Sequence, residues 1–375
     1  MPQTSDLLGL HVTVLKFFGV WRSEDKRKDL LYSFRAFFFL ICLASSTIVS
    51  MFIASFHQAE FTDLIISPLY TANTTLVLLK AVNFCMKTQE IEHFFGQIDK
   101  VPFFSEAGQK DTKKSTVRRI KILSMIHGFL FISVVTSKIL PTVVLGKVTT
   151  ARSLPNWYPF EWEGKLGICL LLLLFEYSAA STLITLAIVE DIFLTSVLLI
   201  IGGQLESLGY RLRNLPSKDT KMWQIKFKEC VQDYNCIFKV NKEFERIFSG
   251  IIFIQALLSC FLICLSAFAL GLANDIGTFI LFFSFIFGML YEVFVMCYAG
   301  DYITEKSEEL LFNLYSSSWP DILRDCRKMM LIFCVKLNNP IIVKFGIIQD
   351  LHLRTFTKIV DAAYKLYALL QQVPE

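Results

Sequence analysis

IIQDLHLRTFTKIVDAAYKLYALLQQVPE, residues 347–375, closes the chain and sets its central problem. The stretch is apolar enough for a membrane helix, yet it carries Asp350, Arg354, Lys358, Asp361 and Lys365. At about 100° per residue these five, with Gln372, fall within a sector of roughly 80°. Ile348, His352, Phe356, Ile359, Ala363, Leu366 and Leu370 take the other side. Ionisable side chains in a span face a bundle interior or water, because lipid leaves them unsolvated. A polar line along almost the whole helix therefore predicts a wetted path, and a path needs several such helices around an axis. Arg354 and Lys358 stand at i, i+3 or i, i+4 from Asp350 and Asp361, where pairing lowers the cost of each charge. Two other placements fit the same line: a helix lying flat on the bilayer, and a polar seam locked against neighbouring helices. Toward its end the helix turns apolar again, with Leu369 and Val373 bracketing Gln372. A ring of such aliphatic side chains can close a pore by dewetting.

The rest of the chain agrees with a membrane setting. Its 375 residues are 54% hydrophobic, with a mean hydropathy of +0.52, which excludes a soluble globular domain. Apolar runs of the roughly 18 residues that mark a span lie at about 34–54, 64–86, 122–146, 166–201, 250–273 and 276–300. With the terminal helix they predict an all-α polytopic membrane protein of seven transmembrane helices. LLGLHVTVLKFFGVW, residues 7–21, runs into RSEDKRKD without a small-residue cleavage pattern. It is read as an amphipathic helix on the membrane surface rather than a signal peptide.

Charge sets an orientation. Net charge is only +4, but alternate connections hold twenty-seven Lys and Arg against three. The positive-inside rule then places the N-terminus in the cytoplasm, and seven spans put the C-terminus outside. That orientation opposes a G-protein-coupled receptor. No Asp-Arg-Tyr follows the third span, and no Asn-Pro-x-x-Tyr ends the seventh. A transporter would show internal repeats or paired broken spans, and neither is visible. The ten cysteines are scattered through spans and connections, with no disulfide or zinc spacing. No nucleophile–base cluster appears, so an enzyme is not expected, nor a cofactor, a metal or a nucleic-acid partner.

Several helices are expected to continue beyond the bilayer. Trp223, Phe227, Val231, Tyr234, Phe238, Phe244 and Phe248 recur at near-helical spacing, as do Ile322, Cys326, Met329, Phe333 and Leu337. Each stripe must bury its apolar face outside the lipid, most economically against the other.

At this point the residues resemble a family. FFGVW (17–21), SLPNWYPFEW (153–162) and YEVFVMCYAGDYITEKSEELLFNLYSSSW (291–319) are similar to motifs of the insect odorant receptors. So is the NNPIIVKFG…LRTFTKIVDAAYKLYALLQQ of the last helix. Gly300-Asp301 stands where the family often has Gly-Glu, Asp233-Tyr234 where it has Asp-His, and Ala363-Tyr364-Lys365 where it has Ala-Tyr-Ser. The resemblance implies a heterotetrameric ligand-gated cation channel in the plasma membrane of olfactory sensory neurons. Its partners would be a common odorant receptor co-receptor, a small volatile odorant, membrane lipids and permeating cations. It also implies that this chain is an odorant-tuning subunit, since the second cytoplasmic connection, about 204–249, lacks the co-receptor's long insertion. The implied organisation is a cytoplasmic segment at 1–33, six spans with cytoplasmic extensions at 34–300, anchor helices at 301–340, and a pore-lining helix with an outside tail at 341–375. Leu369, Gln372 and Val373 become gate and filter candidates, with Asp350, Arg354, Lys358, Asp361 and Lys365 along the pore. A gustatory-type channel of the same superfamily is the alternative; the LPNWYPF loop favours the odorant branch.

The family's pockets lie in the outer halves of spans 2, 3, 4 and 6. Here those halves offer Ser67, Tyr70, Asn73 and Thr74; Thr136, Ser137 and Lys138; Phe175, Glu176 and Tyr177; and Phe282, Phe283 and Phe287. Glu176 interrupts an apolar run roughly 15 Å deep and Lys138 lies roughly 12 Å deep, so the two are expected to pair beside the pocket. A purely structural polar contact at Glu176 remains the alternative reading.

Overall fold

The structure is a computed structural model and describes residues 4–21, 29–57, 61–98, 109–144, 156–162, 164–216, 219–273, 276–317, 324–346 and 349–372. In order, the helices are α1 (Thr4–Phe17), α2 (Asp29–Ala36), α3 (Ser46–His57), α4 (Phe61–Met86), α5 (Thr88–Ile98) and α6 (Gln109–Val144). They continue with α7 (Leu166–Arg213), α8 (Thr220–Gly271), α9 (Ile276–Tyr315), α10 (Arg324–Leu337) and α11 (Leu353–Leu370). Between α2 and α3, Phe37–Ser45 widens into π-helical turns. Ser45 there donates to the Leu40 carbonyl and Thr47 to that of Leu43. Hydroxyls that bond back to the helix in this way loosen its regular ladder. Among the described residues, five helical segments are long and apolar enough to cross a membrane: Ser33–His57, Ile65–Met86, α7, α8 and α9. With α6 and α11 they make a seven-helix, all-α membrane fold.

Three helices overshoot any bilayer. α7, α8 and α9 have 48, 52 and 40 residues; at about 1.5 Å per residue the longest spans roughly 78 Å. The excess is stabilised by the stripes seen in the sequence. Trp223 stacks on Phe227 at 4.7 Å, and Phe333 of α10 meets Phe227 and Tyr234 edge-on at 5.7 and 5.4 Å. Phe244 and Phe248 are buried as well, Val231 and Met329 pack on the same core, and only Phe238 of the described positions is exposed. Ile322 lies outside the described residues.

The terminal helix starts later than its sequence indicates. Lys344–Phe345 and Gln349–Asp350 form a short antiparallel hairpin, β1 and β2, with Lys344 opposite Asp350. Gly346 turns it at φ +62°, a conformation that suits glycine. Pro340, Ile341, Ile342 and Val343 lead into it outside any helix or strand, and Leu351 then seats its backbone against Gly300 of α9, where a Cβ would collide. His352, 2.7 Å from Asp301 and extended at φ −131°, precedes the first helical turn. Asp350 therefore sits on a strand and not on the helical line that its spacing implied.

Candidate functional site

The cavity is built from small and aliphatic residues repeating at one-turn intervals. α7 contributes Ala180, Leu183, Ile184 and Ala187; α4 contributes Tyr70, Asn73, Thr74 and Val77; α9 contributes Phe285, Gly288 and Met289. Thr47 and Met51 of α3 and Leu130 of α6 add to it among the described residues. The i, i+3, i+4, i+7 pattern puts each set on one helical face. The cavity measures about 80 Å³. That is room for several water-sized groups, so a ligand of about ten heavy atoms must spread the walls.

Its polar groups are few and their roles differ. Thr47 Oγ1 donates to the Leu43 carbonyl and Thr74 Oγ1 to that of Tyr70, at 2.5 and 2.8 Å. Both hydroxyl protons are thereby committed, and only lone pairs face inward. The Tyr70 hydroxyl is buried with no hydrogen-bond partner among the described residues, while its ring lies 6.2 Å from that of Phe285. The Tyr70 hydroxyl and the part-buried Asn73 amide, set in an otherwise apolar lining, suit a neutral molecule with one or two acceptor atoms.

Several expected residues lie elsewhere. Tyr70, Asn73 and Thr74 line the cavity, whereas Ser67 is buried one turn away from it. On α9 the lining face is that of Phe285, Gly288 and Met289. Phe282 is packed with Ile66, Leu69 and Leu262, while Phe283 and Phe287 point outward. Phe175 and Tyr177 are not in the lining, and Tyr177 is exposed. The Thr136, Ser137 and Lys138 side chains lie outside the described residues, and with them the expected Glu176–Lys138 pair. Glu176 itself accepts from Tyr158 Oη at 3.1 Å and Asn156 Nδ2 at 3.4 Å. It thus ties the loop before α7 down onto that helix. The same loop is held from α3, where Ser50 Oγ donates to the Trp157 carbonyl at 2.6 Å.

An ionic junction lies directly beneath the cavity. Lys80 Nζ is 2.6 Å from Asp191 Oδ1 and 3.1 Å from Glu292 Oε1. Gln255 Nε2 of α8 donates to the same two carboxylates. His127 Nε2 of α6 stands 3.7 Å from Asp191 Oδ2, and Glu190 is wholly buried alongside. None of these residues is among the pocket positions the sequence offered, although each charge interrupts an apolar run, a signal of functional placement inside a membrane.

On α11, Leu353, Phe356 and Ile359 pack on the main core, and Ala363 is buried in a second cluster with Leu262, Phe282, Phe285 and Met289. Two of those four, Phe285 and Met289, also line the cavity. Arg354, Lys358, Asp361, Lys365, Leu369 and Gln372 are exposed, turned away from the rest of the chain. Asp361 and Lys365 pair at 2.7 Å. Val373 lies outside the described residues.

Comparison with known proteins now adds to this geometry. Residues 60–364 match the family model described as 7tm Odorant receptor. Odorant receptor 46a, isoform B, of Drosophila melanogaster is 22% identical over 396 aligned positions, covering 99% of each chain. Odorant receptor 23a of the same fly is 21% identical over 79% of this chain and 80% of its own. Among solved structures, the olfactory receptor OR5 of Machilis hrabei superposes with a TM-score of 0.84 at 17% identity, covering 98% of this chain and 97% of that one. The same receptor in complex with eugenol gives the same score.

Proposed function

Because the chain belongs to the insect odorant receptor family, a family of receptors and not of enzymes, we propose that it is the odorant-tuning subunit of a ligand-gated cation channel. A small, neutral, volatile molecule occupies the cavity among α3, α4, α6, α7 and α9, and the pore is enclosed by the charged edges of α11 from several subunits. The observation that carries the reading is the second apolar cluster. Phe285 and Met289 line the cavity and pack in one group with Ala363, a buried residue of α11. Spreading the cavity thus bears on the helix whose opposite face is charged and exposed.

The remaining parts of the reading rest on charge and exposure. The Lys and Arg asymmetry supports a cytoplasmic N-terminus and an outside C-terminus. Leu331, Ile332 and Val335 of α10 and Phe312 and Tyr315 of α9 leave large apolar side chains exposed, a surface suited to a co-receptor joined through the ends of the long helices. A ligand of about ten heavy atoms gains about 3–8 kcal/mol, which corresponds to micromolar or weaker binding.

The deciding experiment expresses the chain with and without a co-receptor and records currents during an odorant panel headed by eugenol. Odorant-evoked cation current in the presence of the co-receptor is expected. G-protein-dependent responses with no current would overturn the channel reading.

A further inference from the structure

Each of four cavity-lining helices carries a polar or charged side chain one turn beyond its lining residues. Lys80 follows Val77, Asp191 follows Ala187, Glu292 follows Gly288 and Met289, and His127 precedes Leu130. Gln255 joins them from α8. That helix supplies no side chain to the cavity, yet it lies along α11.

The junction is short of donors. One ammonium and one amide hydrogen-bond to Asp191 and Glu292, His127 Nε2 stands 3.7 Å from Asp191 Oδ2, and Glu190 lies within Coulombic reach of Lys80. Asp191 Oδ2, both Glu190 oxygens and Gln255 Oε1 accept no hydrogen bond among the described residues. A saturated network would act as a bolt. Spare acceptors of the same chemistry instead give Lys80 and Gln255 a second set of partners at small cost, which is what a two-state element needs.

We propose that this junction passes occupancy of the cavity to the terminal helix, with Gln255 as the positioning residue that carries the change into α8. The inference rests on the reading of the chain as an odorant-gated channel. A ligand that spreads Val77, Ala187 and Met289 moves the turns that hold Lys80, Asp191 and Glu292. Their re-pairing shifts Gln255, and with it the helix on which α11 is seated. Such a network biases gating only through the difference between its two arrangements.

The test uses the full-length receptor with its co-receptor, a saturating dose of a panel odorant that opens the wild type, and surface receptor measured in the same cells. Gln255→Met keeps the side-chain length and removes the donor. Its maximal current per surface receptor is expected to fall about five-fold or more, with the half-maximal concentration shifting less than about three-fold. Glu190→Gln supplies a donor in nearly the same shape and is expected to change the ratio of spontaneous to evoked current about three-fold or more. Current that falls only in proportion to surface receptor, with an unchanged ratio in Glu190→Gln, would overturn the proposal. Where Gln255→Met fails to reach the surface, Glu190→Gln decides alone. A wild-type receptor that gives no current with any odorant defeats the channel reading instead.

Discussion

Lys80 Nζ lies 2.6 Å from Asp191 Oδ1, joining α4 to α7 at a point where both side chains are almost wholly buried. Taking such charges out of water costs several kcal/mol each, and only close pairing with further hydrogen bonds offsets it. Lys80 obtains that from two carboxylates on two helices, so α4, α7 and α9 are joined at one ammonium.

Removing the ammonium should therefore be worse than removing the whole group. Lys80→Met leaves Asp191 and Glu292 facing each other with Gln255 as the shared donor, a loss of about 3–5 kcal/mol. That is a large part of the roughly 5–15 kcal/mol that holds a domain folded. Surface receptor should drop strongly in Lys80→Met and recover substantially in Lys80→Met/Asp191→Asn/Glu292→Gln, as measured by surface labelling. Normal surface amounts in the single variant would show that the pair is dispensable.

The cavity gives a size-dependent prediction. Ala180→Leu adds three carbons to a space of about 80 Å³, so bulky panel odorants should lose potency far more than small ones. Tyr70→Phe removes the buried hydroxyl and should cost about 1 kcal/mol, near five-fold in half-maximal concentration, for ligands with an acceptor oxygen. A hydrocarbon of the same shape should be unaffected. Equal shifts for both ligands would place the hydroxyl outside the contact.

What could be read in advance follows from what periodicity encodes. The spans, the overlong helices and the charged edge of α11 are all one-dimensional patterns, and Arg354, Lys358, Asp361 and Lys365 fall on the exposed face their spacing indicates. Asp350 escaped because 100° spacing continues on paper from Arg354 back through His352, where the backbone is in fact extended. On α9, Phe279, Phe282, Phe283, Phe285 and Phe287 spread aromatics around more than half of the helix. Aromatic content could not choose among them, and the face that opens is the one where Gly288 leaves space. Lys80, Asp191 and Glu292 were visible as charges in apolar runs, but which of them meet depends on helix rotation across three separate elements.

Glu176 carries a prediction of its own, drawn from the bonds it makes to described residues. Its bonds to Tyr158 and Asn156 fasten a loop, and that loop also holds α3 through Ser50 and Trp157. Glu176→Ala should lower surface receptor while leaving the rank order of odorants unchanged, and Tyr158→Phe should do the same more weakly, since it removes one neutral donor. A re-ordered odorant ranking at normal surface levels would return Glu176 to the binding site.

The terminal helix supplies the last prediction, because its two faces differ so sharply. Lys358, Asp361 and Lys365 are exposed, whereas Phe356 packs edge-on to Phe294 at 5.7 Å and Ala363 is buried in an apolar cluster with residues of α8 and α9. If the exposed edge borders water in the assembled channel, cysteines at 358, 361 and 365 should react with a charged thiol reagent and alter the current. Cysteines at 356 and 363 should not. Lys365→Glu reverses one charge of the Asp361–Lys365 pair and should raise the permeability of divalent over monovalent cations, because two carboxylates then face the conduit. Reactivity spread evenly around the helix, or confined to the face of Phe356, would mean that lipid or another helix covers the charged edge. The pore would then have to be sought on a different element.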